Sequence, residues 1–412
     1  MSLVLGWLFA IAAVGGPLPP LTEHVAGAHN TASAVTVARA QESVVSWTVH
    51  ERVGALLPTL TVRAGAQIND PVVEVSLPDD KAVITPRNQL DGSVRVELPI
   101  LAVGRWLDIA SSQQQSKAQR LRTQELLLDV ERQTARAYFG LLAAHAVAAA
   151  AARNASAAAT QLVETERLVA AGNATAVDQQ RDKNTRAQKE AIHADAIVRL
   201  ASAQRALAVL SGLDTTGDPL VQDASTDDEA PVDAPSMTRI FAVEAAAADE
   251  ALATWQARSS LAQLLPTVDA VAEARLTNAA GFGRADSYVF GAAATWRLGV
   301  GAAATAMRFD SSAALARAQS EQARQNAEQA LADSIGDAES LRQAHIAARA
   351  DVDFRQARLA QARAQQAVGV GVALDVTLAS QEAFVAEVAL IEADANLKLA
   401  RVLVRLAAGA ST

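Results

Sequence analysis

Two hydrophobic periods alternate along this chain, and each occurs twice. From Leu21 to Leu57 the pattern is helical, and Pro58 ends it, because proline lacks a backbone donor and restricts the residue before it. The period then drops from 3.6 to 2. Leu60, Val62, Ala64, Ala66 and Ile68 alternate with Thr61, Arg63, Gly65 and Gln67. After a Pro/Asp-rich loop from Asp70 to Asp91, Val94, Val96, Leu98 and Ile100 alternate with Arg95, Glu97 and Pro99. From about Arg105 to Ala171 the chain is helix-permissive, with no proline and one internal glycine, Gly140. Leu121, Leu128, Ala135, Leu142, Ala149, Ser156, Val163 and Ala170 keep a seven-residue spacing, the mark of supercoiled helices. At 1.5 Å per residue such a helix is roughly 100 Å long. It turns at Gly172 and returns to Gly212, a glycine placed to end a helix.

The second half repeats the first. A helix over Ser236–Leu265 leads to Val268, Ala270, Ala272, Ala274 and Leu276, alternating with Asp269, Val271, Glu273 and Arg275. Tyr288, Phe290, Ala292, Ala294, Trp296 and Leu298 then alternate with Val289, Gly291, Ala293, Thr295 and Arg297. A long helix from about Ser311 to Val368, a tip and a last helix to Gly409 follow. The tip Gly172–Asp178 and the tip Gly369–Asp375 lie 197 residues apart, and Leu56-Leu57-Pro58-Thr59 recurs 208 residues later as Leu264-Leu265-Pro266-Thr267. The chain is a tandem duplication. Its expected plan is a leader at 1–20, a first repeat at 21–213 and a connector at 214–235. A second repeat at 236–409 and a tail at 410–412 complete it. Strands are expected at about 59–69, 93–101, 267–277 and 287–299.

Four segments of about ten residues, each with one apolar and one polar face, fit strands of a transmembrane β-barrel. The plainer alternative is two hairpins on a soluble core. Against it, the chain offers little other bulky apolar surface to cover them: half its residues are apolar, but only 4 % are aromatic and alanine supplies much of the rest. Four strands do not close a barrel, and open edges are not tolerated in lipid. Spanning strands therefore require several chains to share one barrel.

Composition narrows the chemistry. There is no cysteine, hence no disulfide and no thiolate metal site, and the net charge of −9 argues against nucleic acid as a partner. Leu3–Val14 is an apolar run too short to span a bilayer and of signal-peptide length, although without a basic start. No other stretch of about 18 uncharged apolar residues is found, so no transmembrane helix is expected. His24, His29, His50, His145, His193 and His345 show no ligand spacing and read as surface or packing residues. Gly281-Phe282-Gly283 is an inter-strand loop rather than a phosphate cradle, and there is no Walker-type glycine loop. No nucleophile–base pair emerges; neither catalysis nor a cofactor is expected.

The ordered, duplicated set of helix, Leu-Leu-Pro-Thr, hairpin, very long helix, Gly/Asp tip and return helix resembles the TolC-like outer-membrane efflux protein family. The resemblance rests also on Leu21-Thr22, Leu98-Pro99-Ile100-Leu101, Gly104-Arg105 and Thr134-Ala135-Arg136-Ala137-Tyr138-Phe139. It implies an α+β membrane protein of Gram-negative bacteria: a homotrimer whose twelve strands close one barrel in outer-membrane lipid, continued by a periplasmic α-helical coiled-coil tunnel. It further implies a passive exit duct for tripartite efflux or type I secretion, docked to a periplasmic adaptor and an inner-membrane pump. The alternative from a different class is a periplasmic coiled-coil scaffold or adaptor without a pore. Gly172, Asn173, Asp178, Gly369 and Gly371 are the expected docking tips. Asp375 matches an acidic position that constricts the pore mouth, while Leu378 stands where the family has a second acid and Gly371 where it has a latch arginine. Leu374 and Leu378 are the candidates for an apolar constriction instead. For Asp178 and Asp375 the alternative role is to cap the return helices, where a carboxylate favours the helix dipole.

Overall fold

The computed structural model describes residues 17–76, 81–218, 239–281, 283–296, 299–368, 370 and 372–410. In chain order these form α1 (Leu21–Thr31), α2 (Ser33–Gly54), β1 (Thr59–Ile68), β2 (Val73–Ser76), β3 (Lys81–Thr85) and β4 (Asn88–Leu101). Then come α3 (Val103–Ala170), α4 (Ala176–Ser211), α5 (Phe241–Ala262), β5 (Thr267–Thr277), β6 (Asp286–Thr295), α6 (Val300–Ala367) and α7 (Ala373–Ala407). The chain forms two compact units, and each takes segments from both halves of the duplication. A helical unit draws on Met1–Val37, Gln124–Ile240 and Asn326–Thr412, and a sheet unit on Ala38–Thr123 and Phe241–Gln325.

The sheet unit holds one four-stranded antiparallel sheet in the order β1-β4-β5-β6. Both hairpins of the duplication thus join edge to edge through β4 and β5. The Pro/Asp-rich loop is not irregular throughout: β2 and β3 pair within it as a separate two-stranded hairpin, and β4 begins at Asn88 rather than 93. The earlier start follows from a polar ladder, in which Gln67 donates to Gln89 Oε1 at 2.7 Å and holds the first residues of β4 against β1. β6 ends at Thr295, short of the expected 299; positions 297–298 lie outside the described residues. Ile100 also departs from its expected face. The ladder shifts register between Pro99 and Leu101, so Leu101 and not Ile100 opposes Val268. A proline cannot donate to a ladder, and a bulge is where one is accommodated.

Next to the sheet, the connections are tied through the Arg105 side chain and the Gly104 carbonyl. Arg105 Nη1 donates to the Ala55 carbonyl at 2.8 Å, closing the end of α2, and Ser259 Oγ donates to the Gly104 carbonyl at 3.2 Å. Ala118 and Leu121 of α3 pack on Ala245 and Ala248 of α5, with Phe241 against them. An ion pair from Arg122 to Asp249 flanks this contact.

Among the described residues, the helical unit packs through several small alanine-rich clusters. Ala28 and Val35 meet Val130; Ala148 and Ala151 meet Ala196; Ala338 meets Ala400 and Val404. Small side chains let helices approach closely while keeping little apolar volume. The seven-residue stripe on α3 is buried at Leu121, Leu128 and Ala135, but then moves one residue back to Leu141, Ala148, Ala155 and Leu162. Ser156 and Val163 are consequently exposed. The stripe moves because α3 changes neighbours, packing on α5 at Leu121, near Ala28 at Val130, and on α4 at Ala148.

Two further boundaries differ from the sequence reading. The first helical stretch breaks at Ala32, whose extended backbone ends α1. α6 starts at Val300, 11 residues before Ser311. Near the start of the described chain, Leu18 is buried and its amide donates to the Asp218 carbonyl at 2.8 Å. Among the described helices, α3 also contains an 18-residue window long and apolar enough to cross a membrane, although no such segment was expected. Alanine counts as apolar by that measure, and on the same helix Ala148 and Ala151 pack against Ala196 of α4.

Candidate functional site

The sheet's register decides what its faces carry. Successive strand residues point to opposite faces, so cross-strand partners share a face. Leu60, Val96, Ala272 and Phe290 form one row, and Val62, Val94, Ala274 and Tyr288 the next. The large side chains among them are open to the surroundings: Leu60 is 66 % exposed, Val62 67 %, Tyr288 68 % and Phe290 80 %. The other face is polar. Arg95 Nη1 lies 3.7 Å from Glu273 Oε2, and Arg275 Nη2 donates to Asp91 Oδ1 at 2.9 Å. Exposed pairs of this kind contribute about 1 kcal/mol or less each, so they mark the wetter face more than they hold the sheet. At the end of the sheet nearest the helices, Trp296 Nε1 donates to the Leu264 carbonyl at 2.9 Å. β1 and β6 are free edges among the described strands.

The two tips differ in chemistry although they occupy equivalent places in the duplication. At the first, Gly172 takes φ +79°, a left-handed backbone that suits glycine, and Gly172 and Asn173 amides return to the Val169 and Leu168 carbonyls at 3.0 and 2.8 Å. Thr175 then caps α4. Its Oγ1 accepts from the Asp178 amide at 3.2 Å, and Asp178 Oδ2 accepts from the Thr175 amide at 3.1 Å and hydroxyl at 2.7 Å. Arg181 adds an ion pair at 3.1 Å. The hydroxyl and amide of Thr175, and then Arg181, hold the Asp178 carboxyl below the usual carboxylate range. Asp178 is thus engaged as half of a capping box.

At the second tip, Val372 stands 197 residues after Thr175 and makes no side-chain cap. Asp375 lies in the first turn of α7, exposed, and its carboxylate has no partner among the described residues. Around it Val370, Val372, Leu374 and Leu378 are also exposed. Gly369 and Gly371 lie outside the described residues. The sequence placed Asp178 and Asp375 as equivalents; the missing hydroxyl at Val372 separates them, and that exchange is visible in the aligned repeats.

Among the histidines, His24 and His345 are buried. His24 Nδ1 lies 2.9 Å from Ser211 Oγ, and its ring sits 5.7 Å from that of Tyr138. Burial pushes the His24 imidazole below its ordinary value. Among the described residues no group of His, Asp and Glu is arranged to hold a metal ion.

No protein-family model matches the chain, and no curated protein matches it. Solved structures do. CusC superposes at TM-score 0.82 with 14 % identity, over 95 % of this chain and 92 % of that one. The fold is that of the TolC-like outer-membrane channels. VceC of Vibrio cholerae, described as an outer membrane protein, gives TM-score 0.75 and 17 % identity, covering 95 % of this chain and 96 % of VceC. The open-state outer membrane channel MtrE of Neisseria gonorrhoeae gives 0.77 and 17 %, covering 95 % and 89 %.

Proposed function

We propose that the chain is the passive outer-membrane exit duct of a tripartite efflux or type I secretion system in a Gram-negative bacterium. Three copies contribute four strands each to a twelve-stranded barrel. The observation that carries this reading is the sheet: about ten residues per strand, one continuous apolar face exposed, and both edges unpaired. Ten residues is the span of a tilted barrel strand. In lipid the apolar face is satisfied and the polar face lines the lumen, and closure by further copies removes the free edges. Trp296 falls where an interfacial aromatic is expected. The likeness in fold to CusC, VceC and MtrE supports the same reading. A coiled-coil scaffold without a pore leaves that face in water, which the exposures of Leu60 and Phe290 disfavour.

In this reading the tips dock a periplasmic adaptor that links the duct to an inner-membrane pump. Gly172 and Asn173 present backbone and a small polar side chain at the first tip, and Gly369 and Gly371 belong to the second. Three Asp375 carboxylates around the axis give the mouth a preference for cations; Leu374 and Leu378 supply the apolar part of the constriction. Membrane fractionation and reconstitution test the proposal. The protein is expected in the outer-membrane fraction, migrating faster on a gel before boiling than after, and forming conducting pores in planar bilayers. A protein recovered in the soluble periplasmic fraction and without conductance refutes it.

A further inference from the structure

A cavity of about 470 Å³ lies within the helical unit, walled by α3, α4, α6 and α7. Its volume is in the range that takes a small organic ligand. Lys189 of α4 lines it and is 6 % exposed, with its Nζ 5.7 Å from the centre of the Phe384 ring. That ammonium has no carboxylate partner among the described residues. The acids in the wall are already engaged. Asp182 Oδ2 accepts from Thr165 Oγ1 at 2.6 Å, and Glu387 Oε1 accepts from Arg153 Nη2 at 2.7 Å.

Holding a cation in a largely buried place without a carboxylate beside it is costly, and native interiors rarely leave such groups unmet. A lysine ammonium without a carboxylate beside it, lining a cavity of this size, is the complement of an anion. Leu359 and Phe384 give the rest of the wall an apolar surface. We infer that this cavity binds a small organic monoanion, its carboxylate held by Lys189 and its apolar body lying along Phe384 and Leu359. Burial also lowers the Lys189 ammonium from its ordinary value, and a bound carboxylate reverses that effect by favouring the charged form. The inference concerns the helical wall of each chain and stands whether or not the barrel conducts.

Titration calorimetry on the full-length protein in a maltoside detergent tests it, with 4-phenylbutanoate as the probe and 4-phenylbutanamide as its neutral counterpart. The carboxylate is expected to bind about tenfold or more tightly than the amide, the difference that a charge-assisted hydrogen bond supplies. Lys189→Met removes the preference and Lys189→Arg retains it. Equal binding of the two probes by the unaltered protein overturns the inference, as does an undiminished preference in Lys189→Met. Inorganic sulfate binding as tightly as 4-phenylbutanoate overturns the assignment of an organic anion.

Discussion

Val372 in place of a second Thr175 changes what the carboxylate three residues later is free to do. In the first tip, Asp178 is held by the Thr175 hydroxyl and amide; in the second, Asp375 is left unengaged. Val372→Thr is expected to complete the missing box and stabilise the first turn of α7 by about 1 kcal/mol. Slower amide exchange at Leu374–Val376 checks this, and unchanged exchange counts against it. If Asp375 sets the cation preference of the mouth, the same variant also weakens that preference, as does Asp375→Asn. The first tip has a pH dependence of definite sign. The Asp178 carboxyl is depressed in the folded chain, so its contribution is complete above the ordinary carboxylate value and is lost as pH falls through the lowered one. The start of α4 is therefore expected to fray in acid, and Asp178→Asn to remove that dependence. Lys189 has the opposite charge and an opposite consequence. Its folded value is lowered, so the unfolded chain binds more protons between the folded and unfolded values, and stability rises with pH across that window. With Arg153, Asp182, Glu387 and Arg363 around the same cavity, Lys189→Met is expected to melt higher than the unaltered protein at neutral pH. The gap narrows toward pH 10, near the ordinary lysine value; a lower melting point for Lys189→Met at neutral pH contradicts the reading.

At the level of elements, periodicity carried most of the information. The alternation at Leu60–Ile68 and Val94–Leu98 was legible because strand partners share a face, and a one-residue slip would have put every apolar side chain on the wrong one. The long helices were legible from the absence of helix breakers between Arg105 and Ala171. What alternation could not reveal was the bulge at Pro99–Leu101, since a bulge inserts one residue without altering the composition around it. Nor could a single seven-residue stripe describe α3, because its neighbours change along its length and a straight helix drifts about 20° per heptad. The β2–β3 hairpin was hidden among Pro and Asp residues, where Val73, Val75 and Val83 are too few to set a period. An arginine on the apolar face reads the assignment directly. Val96→Arg or Ala270→Arg is expected to cost about 2–4 kcal/mol near mid-bilayer, seen as lost membrane assembly. Ser93→Arg, on the polar face, is expected to assemble. Normal assembly of both apolar-face variants contradicts the lipid-facing assignment.

For the whole molecule, the duplication was the most legible feature, because its markers are short, ordered and repeated: the Leu-Leu-Pro-Thr stretches, the tips and the closing glycines Gly212 and Gly409, both at positive φ. The edge-to-edge pairing of the two hairpins through β4 and β5 was not legible, since the pairing joins residues nearly two hundred positions apart, as in Asn278 accepting from the Leu90 amide at 2.7 Å. The Lys189 cavity was also hidden. A lysine on an Ala-rich helix reads as solvated, and only the packing of four helices buries it. The central claim is that separate copies join β1 to β6 to close one barrel. Because the chain has no cysteine, paired substitutions report that junction without interference. Thr61→Cys with Val289→Cys, and Arg63→Cys with Ser287→Cys, place thiols on the polar face of the two edges, and neighbouring pairs sample the register across the junction. After oxidation in intact outer membranes, at least one pair is expected to give a band of three linked chains on a denaturing gel, reversed by reductant. Monomers alone from every pair, with the thiols shown to be accessible, contradict the shared barrel.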